Sequence, residues 1–512
     1  MGIILALSAI FALLVQVSAQ NDVDWPSLRF HFTLKRSSVK IHGESEFSMY
    51  ATPFLSDKKE KVLYDVFASF RDDETLYNYT LVDGTPYASV VPMDKTNSPS
   101  ITCIDSESGT LPATNSIVAA INQATAVANG SNAINCASGR LFKVTVNGID
   151  FTLCSSSSGF TMQGTDMDID VGFLEKPMDI IKPSATVCEE EATSISVTSI
   201  GTSVLTGQQI SEHLRNLKAA FDFSFRDKST CMCKSTPRPC IFIHGLGVKT
   251  ETTENEDFFS YWGNSIVDHA PCCSSVKFAH LNTVNNTWTS HSLQHKVCER
   301  ALAVSNTSFK SVIADTIVVT HSMGNLMFSG ALATEKCTLD ASSTWVGMAG
   351  PMIGSMASDF VQESCDGETN DFWEEVGDIT GRCPPNTGLK SLAYEHGNFS
   401  THRLNNAYAA AQKAYRENVY ALMCGRSYSG LVSKYQAKFW ALGHSIPHKS
   451  KENDGMVEFQ SCAHGFPEAK FGDNYRDRFY KTKLNHYDMQ FLAGDSLLNE
   501  DKMPVKWFEC LL

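Results

Sequence analysis

The chain has 512 residues and carries 42 Lys and Arg against 56 Asp and Glu, which gives a formal net charge of −14. This acidic balance argues against nucleic acid as a partner, because neutralising phosphates requires a basic surface. With 43% hydrophobic and 19% charged residues, the composition is that of a globular protein rather than a disordered or membrane-embedded one, and the length suits two or three domains of roughly 100–200 residues each.

The N-terminal segment, residues 1–19, has no charged side chain and ends in small residues ahead of a polar run. This pattern predicts a secretory signal peptide that is cut after Ala19 or Gln20. A signal anchor is the alternative, although an apolar run of about 17 residues is at the lower limit for spanning a bilayer. We therefore predict a secreted, extracellular protein, with the lumen of the secretory or vacuolar system as the alternative location. Five glycosylation sequons fit this prediction: Asn78, Asn129, Asn285, Asn306 and Asn398.

The 16 cysteines are even in number and spread from Cys103 to Cys510. In an oxidising compartment such a set predicts structural disulfides. A zinc cluster is the alternative for the five cysteines nearest the middle of the chain, Cys231, Cys233, Cys240, Cys272 and Cys273. Their spacing matches no common zinc finger, and adjacent cysteines in a secreted chain more often bond to two separate partners. We expect disulfides rather than metal, with the connectivity open.

Residues 20–205 alternate apolar and polar side chains with period two, which predicts a β-rich (α+β) N-terminal domain. Asn147-Gly148 separates two such runs and predicts a hairpin with a type I′ turn. A single helix is expected from about Asn115 to Ala128. The Asp-rich residues 165–170 could bind calcium, but they lack the Gly and the terminal Glu of an EF-hand loop, so we interpret them as a solvated strand face.

A Ser/Thr-rich and then charged stretch suggests a linker over residues 206–238. From residue 239 onward, short apolar strands alternate with helical stretches, which predicts parallel βαβ units up to residue 512. The strands are expected in CIFIHG, SVKFAHL, DTIVVTHS and TWVGMAG. Over about residues 355–444 helical patterns replace this rhythm, including one expected helix that stops at Gly425, and they predict a helical lid inserted between core strands.

The strand DTIVVTHS leads into Met323, Gly324 and a helix-compatible run. A serine hydroxyl becomes a nucleophile when it is exposed on a sharp strand-to-helix turn, near a base and near amide donors. Ser322 occupies that position, and Gly324 supplies the small residue two places later. Thr320 stands two places earlier, where the motif has glycine, and adds crowding there. The pattern predicts Ser322 as the nucleophile.

Residues 239–512 resemble the α/β-hydrolase fold, and within it the lipase and esterase branch. Besides the serine turn, the resemblance rests on four segments in chain order: PCIFIHGLG, TWVGMAGPMIGS, SKENDGMVEFQSC and KLNHYDM. It implies a doubly wound, mostly parallel sheet with a helical lid. It also implies that Asp454 is the acid and His486 the base, since the order Ser, Asp, His is the order of this fold. The backbone N–H groups of Leu246 and Met323 would form the oxyanion hole.

Other residues compete for these roles. Asp488 and Asp495 are weaker alternatives for the acid. For the base, the alternatives in the C-terminal stretch are His444, His448 and His464. We expect His321 to pack or form a hydrogen bond, and His244 to stabilise its own loop.

The sequence thus predicts a secreted serine hydrolase that cleaves carboxylic esters, with acyl lipids as the substrate class that the resemblance implies. No metal or organic cofactor is required by this chemistry. The expected partners are the ester substrate and, transiently, a membrane or lipid surface that is contacted hydrophobically. A thioesterase or transacylase would use the same triad, and an inactive hydrolase-fold binding or adhesion protein is the alternative from another class, favoured by Thr320. The 12 cysteines from Cys231 onward are expected to hold loops and lid around Ser322.

Overall fold

The structure, a computed structural model, describes residues 24–55, 61–72, 74–93, 99–104, 114–127, 136, 140–183, 188, 194–208, 231–366 and 383–512. The predicted signal peptide and most of the predicted linker lie outside these ranges. Two large sheets organise the described part, one antiparallel and one parallel, so the fold is mixed α/β. In the same ranges, no helix has the length and apolar character needed to cross a membrane.

The antiparallel sheet is built by the N-terminal part of the chain. Its strands are β1 (Ser27–Leu34), β2 (Glu46–Leu55), β3 (Lys61–Asp72), β4 (Thr75–Val82), β5 (Thr85–Pro92), β6 (Ser100–Cys103), β7 (Thr125–Ala126), β8 (Arg140–Val146), β9 (Ile149–Ser155), β10 (Gly159–Gly164), β11 (Met167–Leu174) and β12 (Ile195–Ser196). Across the sheet the order is β6-β5-β4-β3-β2-β1-β11-β10-β9-β8-β7, and β12 pairs with β3. Helices α1 (Thr114–Ile121) and α2 (Ser199–Thr206) belong to the same unit.

The predicted period-two alternation is present in this sheet. In β1, Leu28, Phe30 and Phe32 are fully buried while Arg29 between them is exposed, so one face forms a core. The predicted hairpin is also present: Asn147 and Gly148 have φ of 47° and 85°, the positive values that a type I′ turn requires. The prediction of a β-rich unit is confirmed.

Two local predictions in this unit have different outcomes. The helix expected over Asn115–Ala128 ends at Ile121, because Thr125–Ala126 pairs with β8 as an edge strand. The Asp-rich segment lies in and just before β11, where Asp168 forms an ion pair of 2.7 Å with Lys35. The interpretation as a solvated strand face fits Asp168 and the exposed Asp170, whereas Asp166 is buried and pairs with Lys506.

The parallel sheet follows from residue 238 onward. Its strands are β13 (Arg238–Ile243), β14 (Cys273–Ala279), β16 (Ile317–His321), β18 (Thr344–Met348), β19 (Val419–Gly425) and β20 (Phe479–Thr482), while β15 (Val312–Ile313) and β17 (Thr338–Leu339) pair separately. The helices are α3 (His291–Leu302), α4 (Met323–Ala333), α5 (Met356–Asp366), α6 (Thr387–Lys390), α7 (His402–Asn418), α8 (Gln436–Ser445), α9 (Phe459–Cys462) and α10 (Pro504–Leu511). The sheet order is β14-β13-β16-β18-β19-β20, with every neighbouring pair parallel.

Side chains of this sheet alternate between two buried clusters, one on each face. Ile241, Val318 and Trp345 pack on the face that carries α3, α4 and α7. Their neighbours Phe242 and Val319 pack on the opposite face with residues of α10. Burial on both faces explains why these strands read as continuous apolar runs in the sequence.

The predicted lid boundaries, residues 355–444, are wrong in part. The expected helix up to Gly425 ends at Asn418, and Val419–Gly425 is strand β19, in the sheet between β18 and β20. Helix α7 packs on α4 and buries Tyr408 and Tyr415 in the core, so it belongs to the scaffold. A short apolar run is ambiguous between helix and strand by periodicity alone, which is why the strand was missed.

The predicted disulfides are confirmed, and all 16 cysteines form eight bonds. The pairs are Cys103–Cys188, Cys136–Cys154, Cys231–Cys510, Cys233–Cys272, Cys240–Cys273, Cys298–Cys337, Cys365–Cys383 and Cys424–Cys462. The adjacent cysteines 272 and 273 have separate partners, as expected. The expectation that the C-terminal set surrounds Ser322 is wrong for Cys231–Cys510, Cys233–Cys272 and Cys240–Cys273. These bonds join α10 and the segments at the amino ends of β13 and β14, whereas Ser322 follows the carboxyl end of β16.

A buried ion-pair cluster joins the two units of the chain. Arg36, in the loop after β1, donates to Asp495 at 3.0 Å and also to Glu509 of α10. All three side chains are almost fully buried. Asp495 accepts further hydrogen bonds from the Ser38 hydroxyl and the Val505 N–H, so the N-terminal unit supplies the positive charge that these carboxylates need.

Replacing Arg36 with alanine is expected to destabilise the protein by about 3–5 kcal/mol, because two carboxylates lose their buried partner. The free energy of unfolding from urea denaturation measures this. Arg29→Ala is the control, since that side chain is exposed on the sheet, and we expect it to change stability by at most about 0.5 kcal/mol. Equal effects of the two substitutions would contradict the assignment.

Candidate active site

Ser322 lies at the turn between strand β16 and helix α4 and has φ 54° and ψ −130°. A positive φ costs a residue other than glycine about 1–3 kcal/mol and persists only where the surroundings enforce it. Gly324 allows the close approach: a Cβ there would lie 2.6 Å from the Ile243 carbonyl oxygen. The sharp strand-to-helix turn predicted from the sequence is present.

Thr320, which replaces the expected glycine, has a defined place in the turn. Its hydroxyl accepts from the Trp345 indole N–H at 2.8 Å and donates to the Asn325 side chain at 2.7 Å. The Asn325 amide in turn donates to the carbonyls of Ser322 and Met348 at 3.1 and 2.9 Å. A threonine here braces the turn through its hydroxyl. Asn325 was not predicted from the sequence. The one feature that could have indicated it is an amide side chain in the otherwise apolar first turn of a buried helix.

The structure brings the three predicted triad residues together. His486 Nε2 lies 2.9 Å from Ser322 Oγ, and His486 Nδ1 lies 2.8 Å from Asp454 Oδ2. Because a carboxylate only accepts, Nδ1 carries the proton and Nε2 is left to accept the serine proton. Asp454 is itself fixed, since its Oδ1 accepts the N–H groups of Met456 and Val457 at 2.9 and 2.7 Å.

The competing acids are engaged elsewhere. Asp495 belongs to the Arg36 cluster. Asp488 accepts the backbone N–H groups of Leu431 and Asn485, and burial raises its pKa to about 7. Neither carboxylate contacts the imidazole of His486, and both hold loops.

Two of the three competing bases are engaged elsewhere. His444 contacts the Trp440 carbonyl, and His448 contacts the buried Glu458 at 2.9 Å. Burial lowers the pKa of His464, which follows α9. The imidazole that contacts Ser322 Oγ and Asp454 is that of His486.

The loop after β13 lies directly against Ser322. A Cβ on Gly245 would be 2.6 Å from Ser322 Cβ and 3.0 Å from its Oγ. The predicted oxyanion residues adjoin this contact, since Leu246 follows Gly245 and Met323 follows Ser322. Leu246 also lines the cavity beside the serine. The two predicted donors thus belong to residues that adjoin Gly245 and Ser322 in the chain.

Comparisons with known proteins leave the family open. No protein-family model matches the chain, and no curated protein matches it significantly. Among solved structures, the chain is similar to the Staphylococcus hyicus lipase over 56% of this chain and 95% of that one, with 12% identity and a TM-score of 0.27. It is similar to LprF from Mycobacterium bovis over 32% and 92%, with 10% identity and a TM-score of 0.19. It is also similar to oligopeptidase B from Leishmania major, over 90% of this chain and 70% of that one, with 11% identity and a TM-score of 0.21. Likenesses this weak are compatible with a hydrolase fold and carry no conclusion about activity.

A cavity of about 310 Å³ opens beside Ser322 and His486. Its wall is mixed: the apolar part includes Leu246, Val248, Phe259, Leu389, Leu392, Met456, Val457 and Leu492, and the polar part includes Ser260, Ser355, Ser358 and Gln490. None of the described lining residues is Asp, Glu, Lys or Arg. Helices α5 and α6 from the predicted lid contribute to this wall, so that part of the insertion does border the site. The cavity suits an uncharged group next to Ser322 that makes apolar contacts and a few hydrogen bonds.

Within the described ranges, no group of three or more His, Cys, Asp or Glu side chains is placed to hold a metal ion. The cysteines weighed for zinc are all in disulfides.

Proposed function

We propose that residues 239–512 form an α/β-hydrolase domain and that the protein is a secreted serine hydrolase cleaving carboxylic esters, with acyl lipids as its substrate class. The single observation that carries the proposal is His486, whose two ring nitrogens contact Ser322 Oγ and Asp454 at 2.9 and 2.8 Å. We further propose that residues 20–205 form a separate β-rich domain joined by the linker 206–238. The eight disulfides support an oxidising compartment.

The geometry supports acyl transfer through an acyl-enzyme. Ser322 Oγ attacks the ester carbonyl carbon while its proton passes to His486 Nε2, and the resulting imidazolium is stabilised by Asp454. The carbonyl oxygen becomes an oxyanion held by the Leu246 and Met323 N–H groups, each worth roughly 3–4 kcal/mol in rate. His486 then returns the proton to the leaving alcohol. Water, deprotonated by His486, releases the acid and restores the serine.

The cavity supports an apolar acyl group as the part of the substrate that is recognised. Its uncharged lining would leave a charged group without a partner, which is costly in a water-poor site. A thioester presents the same acyl carbonyl, and an alcohol could replace water as the acceptor. Ester hydrolysis, thioester hydrolysis and acyl transfer differ only in the leaving group or the acceptor. The same purified protein can therefore be assayed for all three.

The alternative of an inactive binding protein rested on Thr320. Its hydroxyl bonds to Trp345 and Asn325 give that residue a supporting role in an intact turn. Together with the joined triad, this favours the enzyme.

The proposal is tested by assaying secreted, purified protein against p-nitrophenyl acetate, butyrate, octanoate and palmitate. We expect ester hydrolysis, with kcat/KM rising from the acetate to the longer apolar acyl groups. Butyryl-thiocholine and added methanol separate thioester hydrolysis and acyl transfer. Absence of hydrolysis with every ester, by protein that is folded by circular dichroism, would overturn the proposal.

A further inference from the structure

A chain of hydrogen bonds runs behind Ser322 and connects the two loops that serve it. The Gly245 N–H donates to Tyr261 Oη at 3.0 Å, and Tyr261 Oη lies 2.7 Å from His321 Nδ1. His321 Nε2 lies 3.0 Å from the backbone carbonyl oxygen of His486. His321 is fully buried, whereas Tyr261 is half-buried and lines the cavity. The chain thus begins at the loop before Leu246 and ends at the backbone of the base.

Every proton in this chain has one consistent position. The His486 carbonyl can only accept, so His321 Nε2 must carry a proton and donate it. Burial lowers the pKa of His321 well below its usual value, so the ring is neutral and Nδ1 has a free lone pair. Tyr261 then donates its O–H to Nδ1 and accepts the Gly245 N–H. One tautomer of one neutral histidine satisfies all three bonds.

The neighbouring peptide group is fixed from its other side. The Gly245 carbonyl accepts from the Thr283 hydroxyl at 2.9 Å and from His244 Nδ1 at 2.8 Å. His244 Nε2 accepts the Leu281 N–H at 3.0 Å, and burial lowers the pKa of His244 to about 4. Because a trans peptide points its N–H opposite to its carbonyl, the Leu246 N–H is directed away from Thr283. Both peptides that flank Gly245 are therefore held.

We propose that Tyr261 and His321 are positioning residues that couple the oxyanion loop to the loop of the base, keeping both in register with Ser322. This inference rests on the proposed function, since it concerns how that site is held. Their described hydrogen bonds reach neither Ser322 Oγ nor the ring nitrogens of His486, and they act through the Gly245 N–H and the His486 carbonyl. The His321 ring also packs against the His486 imidazole, with ring centroids 4.7 Å apart. Displacing catalytic groups by about 1 Å can cost 10²-fold in rate, so the coupling affects kcat more than binding.

Tyr261→Phe removes the hydroxyl that joins the two loops and keeps the ring that lines the cavity. We expect kcat for p-nitrophenyl butyrate to fall by roughly 10- to 100-fold, with KM within about twofold because the cavity wall is unchanged. Tyr480→Phe is the matched control. That buried hydroxyl also accepts a backbone N–H, from Met503, and donates to a carbonyl, that of Glu500, but it belongs to neither loop. We expect the control to keep kcat, whatever its loss of thermal stability.

Two substitutions of His321 distinguish its hydrogen bond to Tyr261 from its hydrogen bond to the His486 carbonyl. His321→Asn places an amide near the Nδ1 position and keeps an acceptor for Tyr261, whereas His321→Gln places one near Nε2 and keeps a donor for the His486 carbonyl. Because the Gln variant has already lost the Tyr261 bond, adding Tyr261→Phe to it is expected to lower kcat by less than in the wild type. An effect of Tyr261→Phe that is the same in both backgrounds would overturn the coupling.

The outcomes distinguish the two proposals. If hydrolysis survives Ser322→Ala, the proposed function fails and this inference with it. If hydrolysis depends on Ser322 but Tyr261→Phe keeps the wild-type kcat, only the positioning inference is overturned. It is also overturned if Tyr261→Phe and Tyr480→Phe lower kcat equally, since that result describes general destabilisation.

Discussion

Replacing Ser322 with alanine is expected to lower kcat for ester hydrolysis by roughly 10⁶-fold, the loss seen when the nucleophile of a serine triad is removed. The substitution deletes the oxygen that His486 contacts at 2.9 Å and leaves no hydroxyl to form the acyl-enzyme. Initial rates with p-nitrophenyl butyrate, at protein concentrations high enough to record residual turnover, measure the effect.

Ser329→Ala is the matched control for this experiment. Ser329 is a buried serine of the same helix, α4, and its hydroxyl bonds only to the Leu326 carbonyl among the contacts described for that side chain. We expect its kcat to stay within a few-fold of the wild type. A Ser322→Ala variant that keeps more than a small fraction of the wild-type rate would show that hydrolysis occurs elsewhere.

Asp454→Asn is expected to lower kcat by about 10⁴-fold, because it favours the His486 tautomer that carries its proton on Nε2. Asp454 Oδ1 accepts two backbone N–H groups, so an asparagine must place its oxygen there and turn its NH₂ toward His486 Nδ1. That nitrogen would then have to accept, which moves the ring proton to Nε2. A protonated Nε2 cannot take the proton of Ser322, although the local packing is unchanged.

The matched control is Asp495→Asn, which tests the competing acid. Asp495 bonds to Arg36 and to the start of α10, so we expect a loss of thermal stability with kcat within a few-fold of the wild type. Steady-state kinetics and thermal unfolding of both variants decide between the two carboxylates. A larger loss of kcat in the Asp495 variant would contradict the assignment of Asp454.

Much of the candidate site could be predicted because its residues lie in short sequence patterns. The buried strand before Ser322, the NDG turn at Asp454 and the chain order that ends in His486 are short-range features, and the fold brings their side chains together. The Asn147-Gly148 turn was predictable for the same reason, since a type I′ turn depends on its own two residues.

What escaped prediction depends on contacts between distant segments. Tyr261 reaches His321 across 60 positions of sequence, and neither residue has a local pattern that indicates the other. Strand β19 was missed because only its place between β18 and β20 distinguishes its apolar run from a helix. The disulfide pairing likewise follows from the fold, since spacing alone allows many connectivities.

The most direct test of the central claim is to map the site that a fluorophosphonate probe modifies in the native protein. The probe forms a bond from a serine oxygen to phosphorus and releases fluoride, which requires an activated serine and a stabilised oxyanion. Intact mass and peptide mapping should show a single adduct, located on Ser322, that is lost on prior unfolding and absent in Ser322→Ala. Adduct formation at another residue, or none in folded and hydrolytically active protein, would contradict the assignment of Ser322, His486 and Asp454 as the catalytic triad.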